Sequence, residues 1–183
     1  MSPDWVAVER EVTQHLQNLI RIDTTNPPGN ELPAAEYVAQ VLRGEGIAAE
    51  VLESVPGRGN VVARLKGDGS ARPLLLMSHL DVVPAEPDKW AHPPFAAELV
   101  DGVIWGRGAV DTKNLTAVQM MLMLLLRREG VPLKRDVILA ATADEEVGGF
   151  AGMGWLVEQR PELLEAEYAI NEGGGFGLDI GGR

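Results

Sequence analysis

LLLMSHLD at residues 74–81 and VILAATADEE at residues 137–146 decide how this chain folds. Each opens as an apolar run with no polar face, the mark of a strand covered by helices on both sides of a sheet. Each closes on side chains that carry chemistry: His79 and Asp81 in the first, Asp144, Glu145 and Glu146 in the second. YAINEGGG at 168–175 repeats the pattern with a shorter strand leading to Glu172. Between the first two lies a periodic apolar segment, 115–128, too long for an average strand and with too short an apolar run to span a membrane. It reads as a buried crossover helix, ended by Arg127, Arg128 and Gly130, which suit the negative end of a helix and a glycine stop.

Working outward, Trp5, Val8, Val12, Leu16 and Leu19 recur three or four apart and predict an amphipathic helix over residues 4–21. The prolines at 27 and 28 end it and make 24–30 a surface loop. A second helix follows, capped by Asn30, with Pro33 in its first turn, Ala34, Val38, Val41 and Leu42 facing inward, and a stop near Gly44 or Gly46. Strands are expected at 47–52, 60–65 and 73–77, a hairpin over 97–105 centred on Asp101 and Gly102, and a short helix at 152–159 stopped by Pro161. Alternating strands and helices imply crossover connections. The expected fold is α/β, a largely parallel sheet covered by helices on both faces, with ligands beyond the carboxyl ends of its strands.

Composition narrows the chemistry. With 183 residues, 45% hydrophobic and 23% charged, the chain is globular and about one domain long. Sixteen Lys and Arg against 27 Asp and Glu give a formal charge of -11, so nucleic acid and anionic membrane are not expected partners. There is no cysteine, which excludes thiolate metal sites and a cysteine nucleophile. The first residues lack the basic flank and apolar stretch of a signal peptide, so a cytoplasmic location is the default expectation.

One imidazole and several carboxylates at the open ends of adjacent strands suit zinc, manganese or cobalt. His79 and Asp81 lie on the same side of extended chain, where the acid can orient the ring. Glu145 and Glu146 are adjacent, so their side chains diverge in extended chain, one to hold a metal and the other to carry protons. Asp111 stands where a loop enters the long helix and is a natural bridge between two metals. A water activated by metal, with a glutamate to take its proton, suggests hydrolysis of an amide or related acyl bond.

The runs NPPGNE, SHLDVVP, WGRGAVDTK, ATADEEVGG and NEGGG, in that order, resemble the M20 metallopeptidase family. That family includes glutamate carboxypeptidase, acetylornithine deacetylase, succinyl-diaminopimelate desuccinylase and aminoacylase. The resemblance implies a zinc-peptidase-like fold and two divalent metal ions, zinc foremost, with cobalt or manganese as alternatives. It makes His79 and Glu172 ligands of one ion, Asp111 the bridge, Glu146 a ligand of the other, Glu145 the general base and Asp81 the support of the His79 ring. It also implies a cis peptide between Asp111 and Thr112 and a small peptide or N-acyl amino acid as substrate. Family members continue through a lid or dimerisation domain to a later metal-binding histidine, and no histidine follows His92 here. Residues 1–183 are accordingly expected to be the amino-terminal portion of a catalytic domain, incomplete on its own and inactive in isolation, of an enzyme that pairs through its lid. Thr112 and Asn114 depart from the methionine and glycine usual at those places.

Other functions fit less well. A noncatalytic metal-binding homologue would keep the ligands without turnover, and a two-metal phosphoesterase would need convergent cations that the sequence does not place. The string GRGAVD lacks the last glycine of a dinucleotide loop. His15 and His92 read as structural or solvent-facing, Met120, Met121 and Met123 as core filling, Trp90 as a loop anchor, and Gly173, Gly174 and Gly175 as a tight turn.

Overall fold

The structure, a computed structural model, describes residues 3–173; Gly174 and Gly175 of the expected turn lie outside them. In chain order the elements are α1 (Trp5–Arg21), α2 (Leu32–Gly44), β1 (Ala48–Glu53), β2 (Gly59–Leu65), β3 (Leu74–His79), β4 (Glu98–Val100), β5 (Val103–Trp105), α3 (Lys113–Arg128), β6 (Val137–Thr142), α4 (Met153–Gln159) and β7 (Tyr168–Ile170). Each expected helix and strand is present, with ends shifted by a residue or two.

Five strands form one sheet in the order β1-β2-β6-β3-β7. Pairing is parallel from β6 through β3 to β7. It is antiparallel between β1 and β2 and between β2 and β6. The sheet is therefore mixed, and the parallel expectation applies to the half that carries the three strand-end motifs. For β1 and β2 the reason is the short loop 54–58, closed by backbone bonds from Ser54 N–H to Arg58 O and from Arg58 N–H to Val55 O. A parallel connection needs a crossover of a dozen or more residues, which this loop cannot supply. One consequence reaches the site: β2 pairs Val61 with Ala141, so the start of β2 lies beside the end of β6.

All six residues of β6 are buried, as a run without a polar face requires. On one face of the sheet, Leu19 of α1, Val38 and Leu42 of α2, and Met120, Met123 and Leu124 of α3 pack with Val61, Leu76 and Leu139. The methionines fill this core as expected. On the other face Leu52, Val62, Leu75, Ile138 and Ala140 meet Leu156 of α4, with Met153, Trp155 and Leu163 around them. Each such fully buried side chain stabilises the fold by about 1.5–3 kcal/mol before chain entropy is counted.

The hairpin β4–β5 turns through Asp101 and Gly102, both left-handed, the geometry of the tight turn expected there. The cap of α2 differs from expectation. Glu31 rather than Asn30 holds the cap position, and its carboxylate makes no cap bond because Arg58 claims it. The first-turn N–H of Leu32 is satisfied instead by the carbonyl of Gly57. No helix among the described residues is long and apolar enough to cross a membrane.

Candidate metal centre

Because β3, β6 and β7 run parallel, their carboxyl ends share one edge. His79, the last residue of β3, pairs with Thr142, the last of β6, while Leu76 pairs with Ile170, the last of β7. Glu172 follows two residues after Ile170, and Asp111 enters from the loop before α3. At this edge His79 Nε2 lies 3.0 Å from Asp111 Oδ1, 3.5 Å from a Glu172 oxygen and 3.7 Å from a Glu145 oxygen. Two sets of potential ligand atoms, His79 with Glu145 and Glu172 and His79 with Asp111 and Glu146, lie within 4.8 Å of one another. All five groups expected at the site converge, Asp111 and Glu145 the more exposed and His79 buried beneath them. The peptide between Asp111 and Thr112 is cis, as the resemblance implies.

Asp81 lies under the ring and is fully buried. Its Oδ1 is 3.3 Å from His79 Nδ1, which also lies 2.9 Å from the Asp81 carbonyl. The acid does more than orient the imidazole. Oδ1 accepts the N–H of Glu145 and Oδ2 that of Glu146, both at 3.1 Å, and Oδ2 also accepts Asn26 Nδ2 at 2.8 Å. The loop carrying Asn26 is pinned beside residues 80–82 by its N–H to Val82 O and by Thr24 Oγ1 to Leu80 O.

Glu145 and Glu146 are not in extended chain. The backbone leaves β6, passes Asp144 in the left-handed region at φ 70° and enters a single 3-10 turn, Glu145–Val147. The turn, rather than strand alternation, separates the two carboxylates. Gly152 closes it against β6, passing so near Ala143 that a Cβ would lie 1.7 Å from that carbonyl oxygen.

Charge is strongly coupled here. Burial works against a charged His79, but the carboxylates of Asp81, Glu172 and Glu145 outweigh it and raise the imidazole to about 9. Burial likewise opposes the Asp81 charge, yet the bonds from His79, Asn26 and the Glu146 amide hold its carboxyl below the usual range. Burial pushes both glutamates up, with Glu172, Asp81 and Asp111 adding to the rise at Glu145 against the pull of His79, and Asp111 foremost among the charges at Glu146.

Beneath the site is a second layer that sequence reasoning missed. Glu31 is fully buried and takes Arg58 in a two-pronged pair, Nε to Oε2 and Nη2 to Oε1, both 2.7 Å. Arg58 Nη2 also donates to Asp144 Oδ1 at 2.9 Å. Asn26 Nδ2 joins the same oxygen at 3.2 Å, linking this layer to Asp81. The available signals were Glu31 at the end of NPPGNE and Arg58 between Gly57 and Gly59 just before a strand. Lys113 was missed as well. It is fully buried, its Nζ donates to the carbonyls of Leu19 and Ile22 at the end of α1, and burial pushes its ammonium down to about 7. Its signal is its place on the inward stripe of α3, two residues after Asp111.

The histidines read as structural stand outside the cluster. His15 Nδ1 meets Tyr37 Oη, and His92 pairs with Glu98 and leans on Trp105. Trp90 lies under the guanidinium of Arg107, which ties its loop down.

The donor set fits divalent cations. One imidazole and four carboxylates crowd together with no lysine or arginine ion-paired to Asp111, Glu145, Glu146 or Glu172 among the described residues. Glu146 Oε1 is buried with no hydrogen-bond partner, although such atoms are normally satisfied. A cation would satisfy both. With oxygen and imidazole donors and no thiolate, zinc, manganese and cobalt match better than soft metals.

The sequence description of Peptidase family M20/M25/M40 matches residues 75–181. Aminoacylase-1 of Sus scrofa is 36% identical over 160 residues, covering 84% of this chain and 39% of the relative. The N-fatty-acyl-amino acid synthase/hydrolase PM20D1 of Xenopus tropicalis is 30% identical over 173 residues, covering 90% of this chain and 34% of the relative. Among solved structures, the M20 family metallo-carboxypeptidase Sso-CP2 from Sulfolobus solfataricus superimposes with a TM-score of 0.76 at 25% identity, covering 90% of this chain and 38% of that one. The chain thus spans well under half the length of these relatives.

Proposed function

Given that the chain belongs to the M20/M25/M40 peptidase family, we propose that it supplies the reaction centre of a hydrolase cleaving peptide or N-acyl amino-acid amide bonds with two divalent cations, zinc foremost. The observation that carries this reading is the convergence of His79, Asp111, Glu145, Glu146 and Glu172 at one edge of the parallel strands. His79 and Glu172 would hold one ion, Glu146 the other, and Asp111 both; ligand atoms of Asp111, His79 and Glu146 lie within 4.8 Å of one another, close enough for Asp111 to serve beside either. When bound, such a cation pair polarises the scissile carbonyl and makes water more acidic.

The residues of the chain do the rest. Glu145 accepts a proton from the attacking water at its carboxylate and returns it to the departing amine nitrogen. Its raised proton affinity, caused by burial and neighbouring acids, suits a group that must both take and give a proton. Asp81 keeps the His79 ring turned toward the site and holds the amides of Glu145 and Glu146, so one buried carboxylate sets both ligand and base. The similarity to an aminoacylase, an N-fatty-acyl-amino acid synthase/hydrolase and a metallo-carboxypeptidase supports amide substrates with an amino-acid leaving group.

The test is Glu145→Gln in the full chain, assayed on N-acetyl amino acids and dipeptides. Turnover falls by about 10²–10⁴ while cation uptake is unchanged, because an amide cannot take the proton. Turnover near that of the unaltered protein overturns the assignment of Glu145.

A further inference from the structure

We propose that Arg58 is a positioning residue for Glu145 and Glu146: paired with Glu31, it fixes the left-handed backbone of Asp144 and thereby sets where the next two carboxylates stand. The duties of those glutamates rest on the hydrolase reading above, whereas the positioning itself is a statement about geometry.

The antiparallel half of the sheet makes this contact. Because β2 runs against β6, the residue just before β2 arrives where β6 gives way to Asp144. The Arg58 side chain forms no hydrogen bond or ion pair with the imidazole or the carboxylates of the cluster, and its bonds go to Glu31, Asp144 and the Pro28 carbonyl. Asp144 is gripped at both ends by one rigid pair. Arg58 Nη2 takes its Oδ1, and Glu31 Oε1, held by that same Nη2, accepts the Asp144 N–H at 3.3 Å. Asp144 Oδ2 accepts the Ala151 N–H at 3.0 Å and closes the turn.

The amides of residues 144, 145 and 146 are thus all captured by buried carboxylates, the first by Glu31 and the next two by Asp81. Left without a cation, Glu31 and Asp144 would repel each other at this spot, and Arg58 is the only side chain ion-paired to either among the described residues. A guanidinium meets this need and an ammonium does not. Its fork satisfies both Glu31 oxygens and still presents an N–H to Asp144. Gly29 leaves the space for it, since a Cβ there would lie 2.4 Å from the Arg58 guanidinium carbon.

The experiment is residue-resolved amide hydrogen exchange on the metal-free full chain, comparing the unaltered protein with Arg58→Lys and Arg58→Met, followed by cobalt titration of each. In Arg58→Met the Glu145 and Glu146 amides exchange about tenfold faster or more, the worth of a lost charge-assisted hydrogen bond, while Leu76 and Leu139 keep their protection. Cobalt affinity falls by about 10–100-fold, as for loss of a group that orients ligands. Arg58→Lys, which keeps the charge and serves if the methionine variant does not fold, shows the same local effect to a smaller degree. Unchanged exchange at 145 and 146 in the lysine and methionine variants overturns the proposal, and so does equal loosening of Leu76 and Leu139, which would mark a merely structural role. If the unaltered protein binds no cobalt, the hydrolase reading fails, and the metal-free exchange still decides the role of Arg58.

Discussion

Replacing Asp81 by asparagine removes no atom from the packing and changes only what one position can accept. The two Asp81 oxygens serve four donors: Glu145 N–H and the His79 ring at Oδ1, Glu146 N–H and Asn26 Nδ2 at Oδ2. An asparagine has one oxygen, so whichever way its amide turns, its NH₂ faces two of these donors. Asn26 cannot rescue the second arrangement by turning its own amide, because that would aim its oxygen at Asp144 Oδ1, which its NH₂ now serves at 3.2 Å. Asp81 itself is fully buried, so water does not replace the lost acceptor at its own oxygens. The His79 ring keeps the Asp81 carbonyl at 2.9 Å, so one or two donors are stranded; at about 1–3 kcal/mol each, Asp81→Asn lies about 1–6 kcal/mol below the unaltered protein in stability. Urea denaturation of both proteins, metal-free, measures this directly. Cation affinity should fall by about 10–100-fold in parallel, since the turn bearing Glu145 and Glu146 loses an anchor. An Asp81→Asn protein with unaltered unfolding midpoint and unaltered affinity would refute the reasoning.

Two further expectations concern the frame around the site. Gly152→Ala must displace either the end of β6 or the turn after it, because the added Cβ would fall on the Ala143 carbonyl; a loss of about 1–3 kcal/mol in urea together with weaker cobalt binding is expected, and an unaltered melting curve would contradict it. Asp136 lies at the opposite end of β6. Burial opposes its charge, but the Gly67 amide, Lys66 and Arg64 outweigh burial and hold its carboxyl at about 2, against an ordinary 3.8. The folded state therefore binds this proton less readily than the unfolded chain, so the stabilisation is complete above about pH 4 and is lost as pH falls toward 2. Asp136→Asn should flatten the dependence of the urea midpoint on pH in that window, and parallel curves for the two proteins would rule the contribution out.

What the sequence made legible, and what it hid, follows from the range of the interactions. Unbroken apolar runs located β3 and β6 because burial on both faces leaves no room for polar residues, and their ends pointed to His79, Asp81, Glu145 and Glu146. Asp101 and Gly102 marked a hairpin because few residues adopt two successive left-handed conformations. Strand direction was harder. Periodicity is the same whichever way a strand runs, so β1 and β2 were placed as strands while their antiparallel pairing was not seen. With that pairing went Arg58, whose partners Glu31 and Asp144 lie far off in sequence and meet only because β2 reverses beside β6. The cap of α2 failed for the same reason. Asn30 has the better local chemistry, but the place of Glu31 is set by a distant guanidinium. Lys113 lay outside the helix expected over 115–128, and the α1 carbonyls that hold it are far off in sequence.

The central claim is that this strand edge gathers one imidazole and a set of acids around two cations. Crystals of the full chain grown with zinc, measured on both sides of the zinc absorption edge, test it most directly. Two anomalous peaks are expected, one about 2.0–2.2 Å from His79 Nε2 and a Glu172 oxygen and the other at that distance from Glu146, with Asp111 reaching both. Zinc absent from this edge at saturating concentration, or bound only through other side chains, would contradict the account.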